Sequence, residues 1–143
     1  MRIVIDTNVV VSGLLLPRSV SRRAFDAACT RGIMLVSIAT LEELDDVLCR
    51  PKFDEYVDEE QRLDFLAAYI REAEHVAVTV SVRECRDPSD DKILELAVSG
   101  SATHVISGDD DLLNLSPFRG VVIQTPADFL HGLDETVHGS VTS

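Results

Sequence analysis

Asp6, Glu43, Asp91 and Asp109 are acids on four well-separated segments, each placed where an apolar run ends or a helical pattern opens. Carboxylates gathered within several ångströms repel one another and hold their protons more tightly unless a cation sits among them. Oxygen donors without histidine or thiolate suit hard Mg²⁺ or Mn²⁺. Such an ion lowers the pKa of water and stabilises charge on a leaving oxygen, so hydrolysis of a phosphodiester bond is the natural reaction. Singly, each acid has an ordinary structural use. Glu43 could close a capping box with Thr40, Asp90 and Asp91 could favour a helix N-terminus, residues 109–111 could form a solvated turn, and Asp6 could start an Asx-type turn or cap a helix. Jointly, four such coincidences explain the pattern less well than one shared site.

The elements that must position these acids follow from periodicity. Residues 2–5, 33–37, 75–80, 103–107 and 121–124 are short β-branched runs bounded by turn or cap residues, and read as strands. Helical spacing covers residues 21–31, stopping at Gly32, and residues 38–49, opening after Ser37 and ending before Pro51. It also covers residues 58–74, with the acidic opening turn Asp58-Glu59-Glu60, and residues 90–99, while shorter helices follow Gly108 and Pro126. Alternating strands and helices predict a three-layer α/β/α sandwich around a central, mostly parallel, five-stranded sheet. An extra helix before the third strand suggests an insertion at one edge. In such sheets ligands bind beyond the carboxyl ends of the strands, where Asp6, Glu43, Asp91 and Asp109 would all be delivered.

At 143 residues the chain fits one domain with a full core. Residues 1–131 are expected to form it. Residues 132–143 lose periodicity and read as a disordered tail. The chain enters an apolar strand directly and has no run long enough to span a bilayer, so a cytoplasmic protein with no membrane association is expected. Three scattered cysteines and four histidines without ligand spacing argue against disulfides and zinc. A net charge of −12 opposes binding to a polyphosphate, which draws its affinity from Lys and Arg. Arg18, Arg22 and Arg23 form a local basic patch that offsets this in part, or else an ordinary solvated helix face.

Together, Ile3-Val4-Ile5-Asp6-Thr7-Asn8, the helix after Ser37 with Glu43-Leu44, Asp87-Pro88-Ser89-Asp90-Asp91-Lys92-Ile93-Leu94 and Ile106-Ser107-Gly108-Asp109-Asp110-Asp111-Leu112-Leu113 resemble PIN domains. The resemblance covers about residues 2–130. It is greatest to the toxin branch of bacterial toxin–antitoxin ribonucleases (VapC-like), to which Leu48-Cys49-Arg50-Pro51-Lys52-Phe53 is also similar. It implies a Mg²⁺- or Mn²⁺-dependent endoribonuclease in which Asp6, Asp91 and Asp109 hold the ion and Glu43 orients the attacking water. Asp111 is a further ligand or orients water. Thr7, Asn8, Ser107 and Asp90 would lie behind the ligands and fix them. Asp90 is the alternative to Asp91, whose Asp-x-x-Leu step fits the family register better; Asp110 should face solvent. The resemblance also implies an RNA substrate, a homodimer and an inhibitory antitoxin, and Arg18, Arg22, Arg23, Arg50 and Lys52 are the candidate phosphate contacts.

Three other readings compete. A haloacid-dehalogenase-like phosphatase also starts with an Asp after its first strand, but wants a second Asp two residues on, where this chain has Asn8. A receiver domain would need a central phosphoacceptor Asp and a late Lys in register. A catalytically inactive PIN-fold module binding RNA or protein would be expected to have lost one of the acids.

Overall fold

The computed structural model describes the backbone of residues 1–142 and the side chains of residues 1–134. Strands β1 (Arg2–Ile5), β2 (Ile33–Val36), β3 (Glu74–His75), β4 (His104–Ile106) and β5 (Val122–Gln124) form one sheet in the order β3-β2-β1-β4-β5. Every neighbouring pair is parallel. Helices α1 (Thr7–Leu15), α2 (Val20–Arg31), α3 (Ile38–Leu48), α4 (Glu59–Glu72), α5 (Pro88–Ser99), α6 (Asp110–Leu113) and α7 (Pro126–Thr142) join the strands, with a 3-10 turn at Pro51–Phe53.

A parallel strand covered on both faces reads as a continuous apolar run, and the central Ile3-Val4-Ile5 is buried throughout. Because successive side chains point to opposite faces, the sheet feeds two cores. Ile3, Ile5, Met34, Val36 and Ile106 meet Val10, Phe25, Leu44, Tyr69 and Phe129 from α1, α2, α3, α4 and α7. Val4, Leu35, Val105 and Ile123 meet Ile93, Leu94, Leu96 and Leu112 from α5 and α6. The three layers are those the alternating pattern predicts, and α3 and α4 both precede β3, as the edge insertion requires.

Two elements depart from the sequence reading. Helix α1 is absent from it because Val9-Val10-Val11 is β-branched and Ser12-Gly13 looks like a break. Burial overrides propensity there: Val9, Val10 and Val11 are all enclosed, and tertiary packing supplies most of a helix's stability. The third strand, expected over residues 75–80, pairs only through Glu74–His75. Beyond Val76 the chain is drawn onto α5, where the Thr79 N–H donates to Ser99 Oγ (3.0 Å) and the Val82 N–H to Glu95 Oε2 (3.0 Å). The expected tail, residues 132–143, lies largely outside the residues whose side chains are described, while the helical backbone of α7 extends to Thr142. Among the described residues no helix is long and apolar enough to cross a membrane.

Candidate active site

β1 has β2 on one side and β4 on the other, so the strand order reverses there and a crevice opens beyond their carboxyl ends. Asp6 is the first residue past β1, and its N–H still donates to the Ile106 carbonyl of β4 (2.9 Å). Its carboxylate is buried, and Ser107 Oγ donates to Asp6 Oδ2 at 2.7 Å. The same Ser107 Oγ accepts the Asp109 N–H at 3.0 Å, so one buried hydroxyl sets the positions of two acids. Asp109 in turn caps α6, its Oδ1 accepting the Asp111 N–H (2.8 Å). Glu43 arrives on α3. That helix is capped by Ser37 and Thr40, which leaves Glu43 out of the capping box the sequence allowed and free to accept from Thr7 Oγ1 (3.3 Å).

On α5 the acid that turns inward is Asp90, not Asp91. Neighbouring residues on a helix point about 100° apart, so only one of Asp90 and Asp91 can face the crevice. Asp90 does: it is 7% exposed and lies beside Asp6 and Asp109. Asp91 Oδ1 instead accepts the Glu84 N–H (3.0 Å) and the Cys85 N–H (2.9 Å), tethering the segment that precedes α5. The helix also begins earlier than its apolar pattern, at Asp87 with Pro88 in its first turn, and that start fixes which acid turns inward. Pro88 was the legible signal, because proline favours the first helical position.

Asp6, Glu43, Asp90 and Asp109 line a cleft of about 240 Å³, together with Asp87, an acid the sequence reading missed. One carboxylate oxygen each from Asp90, Asp109 and Asp111 lies within 4.8 Å of the others. Burial is the largest influence on Asp6 and lifts its pKa; the Ser107 hydroxyl and the Asn8 N–H pull it back, and Asp109 and Glu43 lift it further. Burial, then the charges of Asp109 and Asp6, push Asp90 up to about 7. Without a cation Asp6 and Asp90 hold their protons more tightly than ordinary carboxylates, and the all-oxygen donor set fits a hard divalent ion.

The remaining candidates are dispersed. Asp111 is half-buried, 3.8 Å from the exposed Arg86 Nη2, and Asp110 faces solvent. Arg50 lines the acidic cleft. Arg22 is occupied by Asp26 (3.2 Å) and the Gly13 carbonyl (3.3 Å), and Lys52 Nζ lies 4.9 Å from the centroid of the Phe53 ring. Arg18 and Arg23 are exposed outside the cleft.

Ser107 offers a direct test of how the acids are held. Ser107→Ala removes one of the donors to the buried Asp6 carboxylate and leaves the Asp109 N–H without its acceptor, and should cost about 1–3 kcal/mol in a urea melt. Loss of a group that orients metal ligands should also weaken Mn²⁺ binding by about 10–100-fold in calorimetric titration.

Residues 2–111 match the sequence model of the PIN domain, a span that contains every acid described above, and the chain belongs to the PIN domain family. An uncharacterized protein of Methanocaldococcus jannaschii is 30% identical over 117 residues, covering 80% of this chain and 75% of its own length. Among solved structures, a chain in the crystal structure of VapBC2 from Rickettsia felis bound to a DNA fragment from its promoter matches with a TM-score of 0.60 and 11% identity. That match spans 87% of this chain and 98% of the other. A Pyrobaculum aerophilum protein of known crystal structure matches with a TM-score of 0.62 and 13% identity, over 92% of this chain and 88% of its own. At these identities the two structures share the fold.

Proposed function

We propose that the chain is a Mg²⁺- or Mn²⁺-dependent endoribonuclease whose acidic centre is Asp6, Glu43, Asp90 and Asp109. The observation that carries this reading is the convergence of four acids from four segments on one cleft at the strand-order reversal. Asp6, Asp90, Asp109 and Asp111 would hold the ion. When bound, the cation supplies Lewis-acid activation of water and neutralises charge on the leaving oxygen. Glu43, held by Thr7, orients the attacking water and accepts its proton, while Ser107 keeps Asp6 and Asp109 at fixed separation. Arg50, beside the acids, is placed to meet a substrate phosphate. Asp91, whose Oδ1 accepts two backbone N–H groups ahead of α5, is left out of this ligand set.

A role as the toxin of a toxin–antitoxin pair is the biological setting we favour, supported by the fold-level likeness to VapBC2. It brings with it a cognate antitoxin, a homodimer and a cytoplasmic RNA target.

Asp6→Asn tests the centre with little risk of unfolding, because the amide oxygen can still accept from Ser107 and one repelling charge is removed. Purified protein incubated with a mixed RNA pool should cut it with Mn²⁺ or Mg²⁺, stop in EDTA, and lose at least about 1000-fold in rate on Asp6→Asn. Undiminished cutting by the folded variant would remove the assignment. No cutting by the wild type under either metal would favour an inactive binding module.

A further inference from the structure

Past Asp6 and Asp109 the acidic cleft continues into a second pocket of about 450 Å³, and the two spaces share Asp6, Asn8 and Asp109 along their boundary. Asn8 and Ser12, one turn apart on α1, form one wall, and Ser21 at the start of α2 continues it. The two helices are drawn together at Gly13, where a Cβ would lie 3.4 Å from Arg22 Cα; this closeness places Ser12 beside Ser21. The opposite side is Gly108. Its φ is not positive and a Cβ there would meet nothing within 4 Å, so neither backbone conformation nor packing requires glycine. A larger side chain would project into the open groove.

Apart from Asp6 and Asp109, the lining carries no charged side chain among the described residues. The side chains of Asn8, Ser12 and Ser21 make no hydrogen bond among the described residues and are free to meet a ligand. Neutral hydroxyl and amide groups can donate to and accept from a 2′-hydroxyl and base edges. A protein of net charge −12 has correspondingly little phosphate affinity to draw on. Base edges can enter such a pocket only when the base is unpaired and splayed out.

We propose that this pocket takes one unpaired nucleotide of single-stranded RNA next to the scissile phosphate, with Asn8, Ser12 and Ser21 hydrogen-bonding its ribose and base and Gly108 leaving room for it. The proposal rests on the ribonuclease reading above and adds to it where sequence or strand selectivity resides.

The test is fluorescence anisotropy with a fluorescein-labelled random single-stranded RNA hexamer, in Ca²⁺ to limit cleavage, on wild type, Ser12→Leu and Gly108→Leu. Each leucine should plug the pocket and weaken binding roughly 10-fold, the scale of one nucleotide's contacts. The Mn²⁺-induced rise in melting temperature should stay at the wild-type value, showing the acids intact; if Gly108→Leu disturbs it through Asp109, Ser12→Leu decides alone. Unchanged hexamer affinity in a plugged variant would overturn the subsite while leaving the nuclease reading standing. A wild type that binds no hexamer would overturn both.

Discussion

Asp90→Asn should abolish metal-dependent RNA cleavage, whereas Asp91→Ala should leave a less stable protein that still cuts. On the proposed ligand set, removing this inward acid would take away a ligand together with several kcal/mol of charge stabilisation, about 1000-fold or more in rate at 1.36 kcal/mol per tenfold. Asp91 has different work. Its Oδ1 accepts two backbone N–H groups, from Glu84 and Cys85, and the alanine variant should lose about 1–3 kcal/mol in a urea melt with kcat within a few-fold of wild type. A chemical reporter sits beside it. The Cys85 thiol is pushed up to about 12, by burial first and then by Asp91, so Asp91→Ala should label faster with iodoacetamide at fixed pH. If folded Asp91→Ala were inactive while Asp90→Asn kept its rate, the assignment would be reversed.

The same pair shows what a sequence can and cannot specify about this site. The strand ends carrying Asp6 and Ser107 were legible, because β-branched runs bounded by polar residues leave little freedom in where a parallel strand stops. The convergence of Asp6, Glu43 and Asp109 on one cleft was therefore legible. Which of two adjacent helical acids turns inward was not, since it depends on the rotational phase of α5. That phase is set by Asp87 and Pro88 at its start and by packing of Ile93, Leu94 and Leu96 against the sheet. Helix α1 was hidden for a related reason: its propensity is poor and its helicity comes from contacts the chain makes only when folded. The contacts of the arginines were not legible either. Arg22, a candidate phosphate contact in a basic cluster, has its guanidinium beside Asp26 and the Gly13 carbonyl, where it links α1 to α2.

Stability in the absence of metal should fall as pH rises from 5 to 8, opposite to the usual behaviour of a carboxylate held in an ion pair. Asp90 titrates at about 7 in the folded chain but near its ordinary 3.8 when unfolded. Between those values the folded state keeps a proton that the unfolded state releases, so each step up in pH favours unfolding; above about 7 the penalty is fully present and constant. Asp6 is shifted in the same direction and adds to the trend. With the cleft mouth open to solvent, the loss should be on the order of 2 kcal/mol, several degrees in melting temperature. A divalent cation must displace the Asp90 proton, so its affinity should rise with pH up to about 7. At about 100 times its dissociation constant it should add about 2.7 kcal/mol. Melting curves from pH 5 to 8, with EDTA and with Mn²⁺, should thus diverge as pH increases. Asp90→Asn removes the titrating group and should flatten the EDTA curve while abolishing most of the Mn²⁺ response. A wild-type EDTA curve that climbs over this range, with Mn²⁺ adding nothing at pH 8, would mean that these acids neither repel one another nor share an ion.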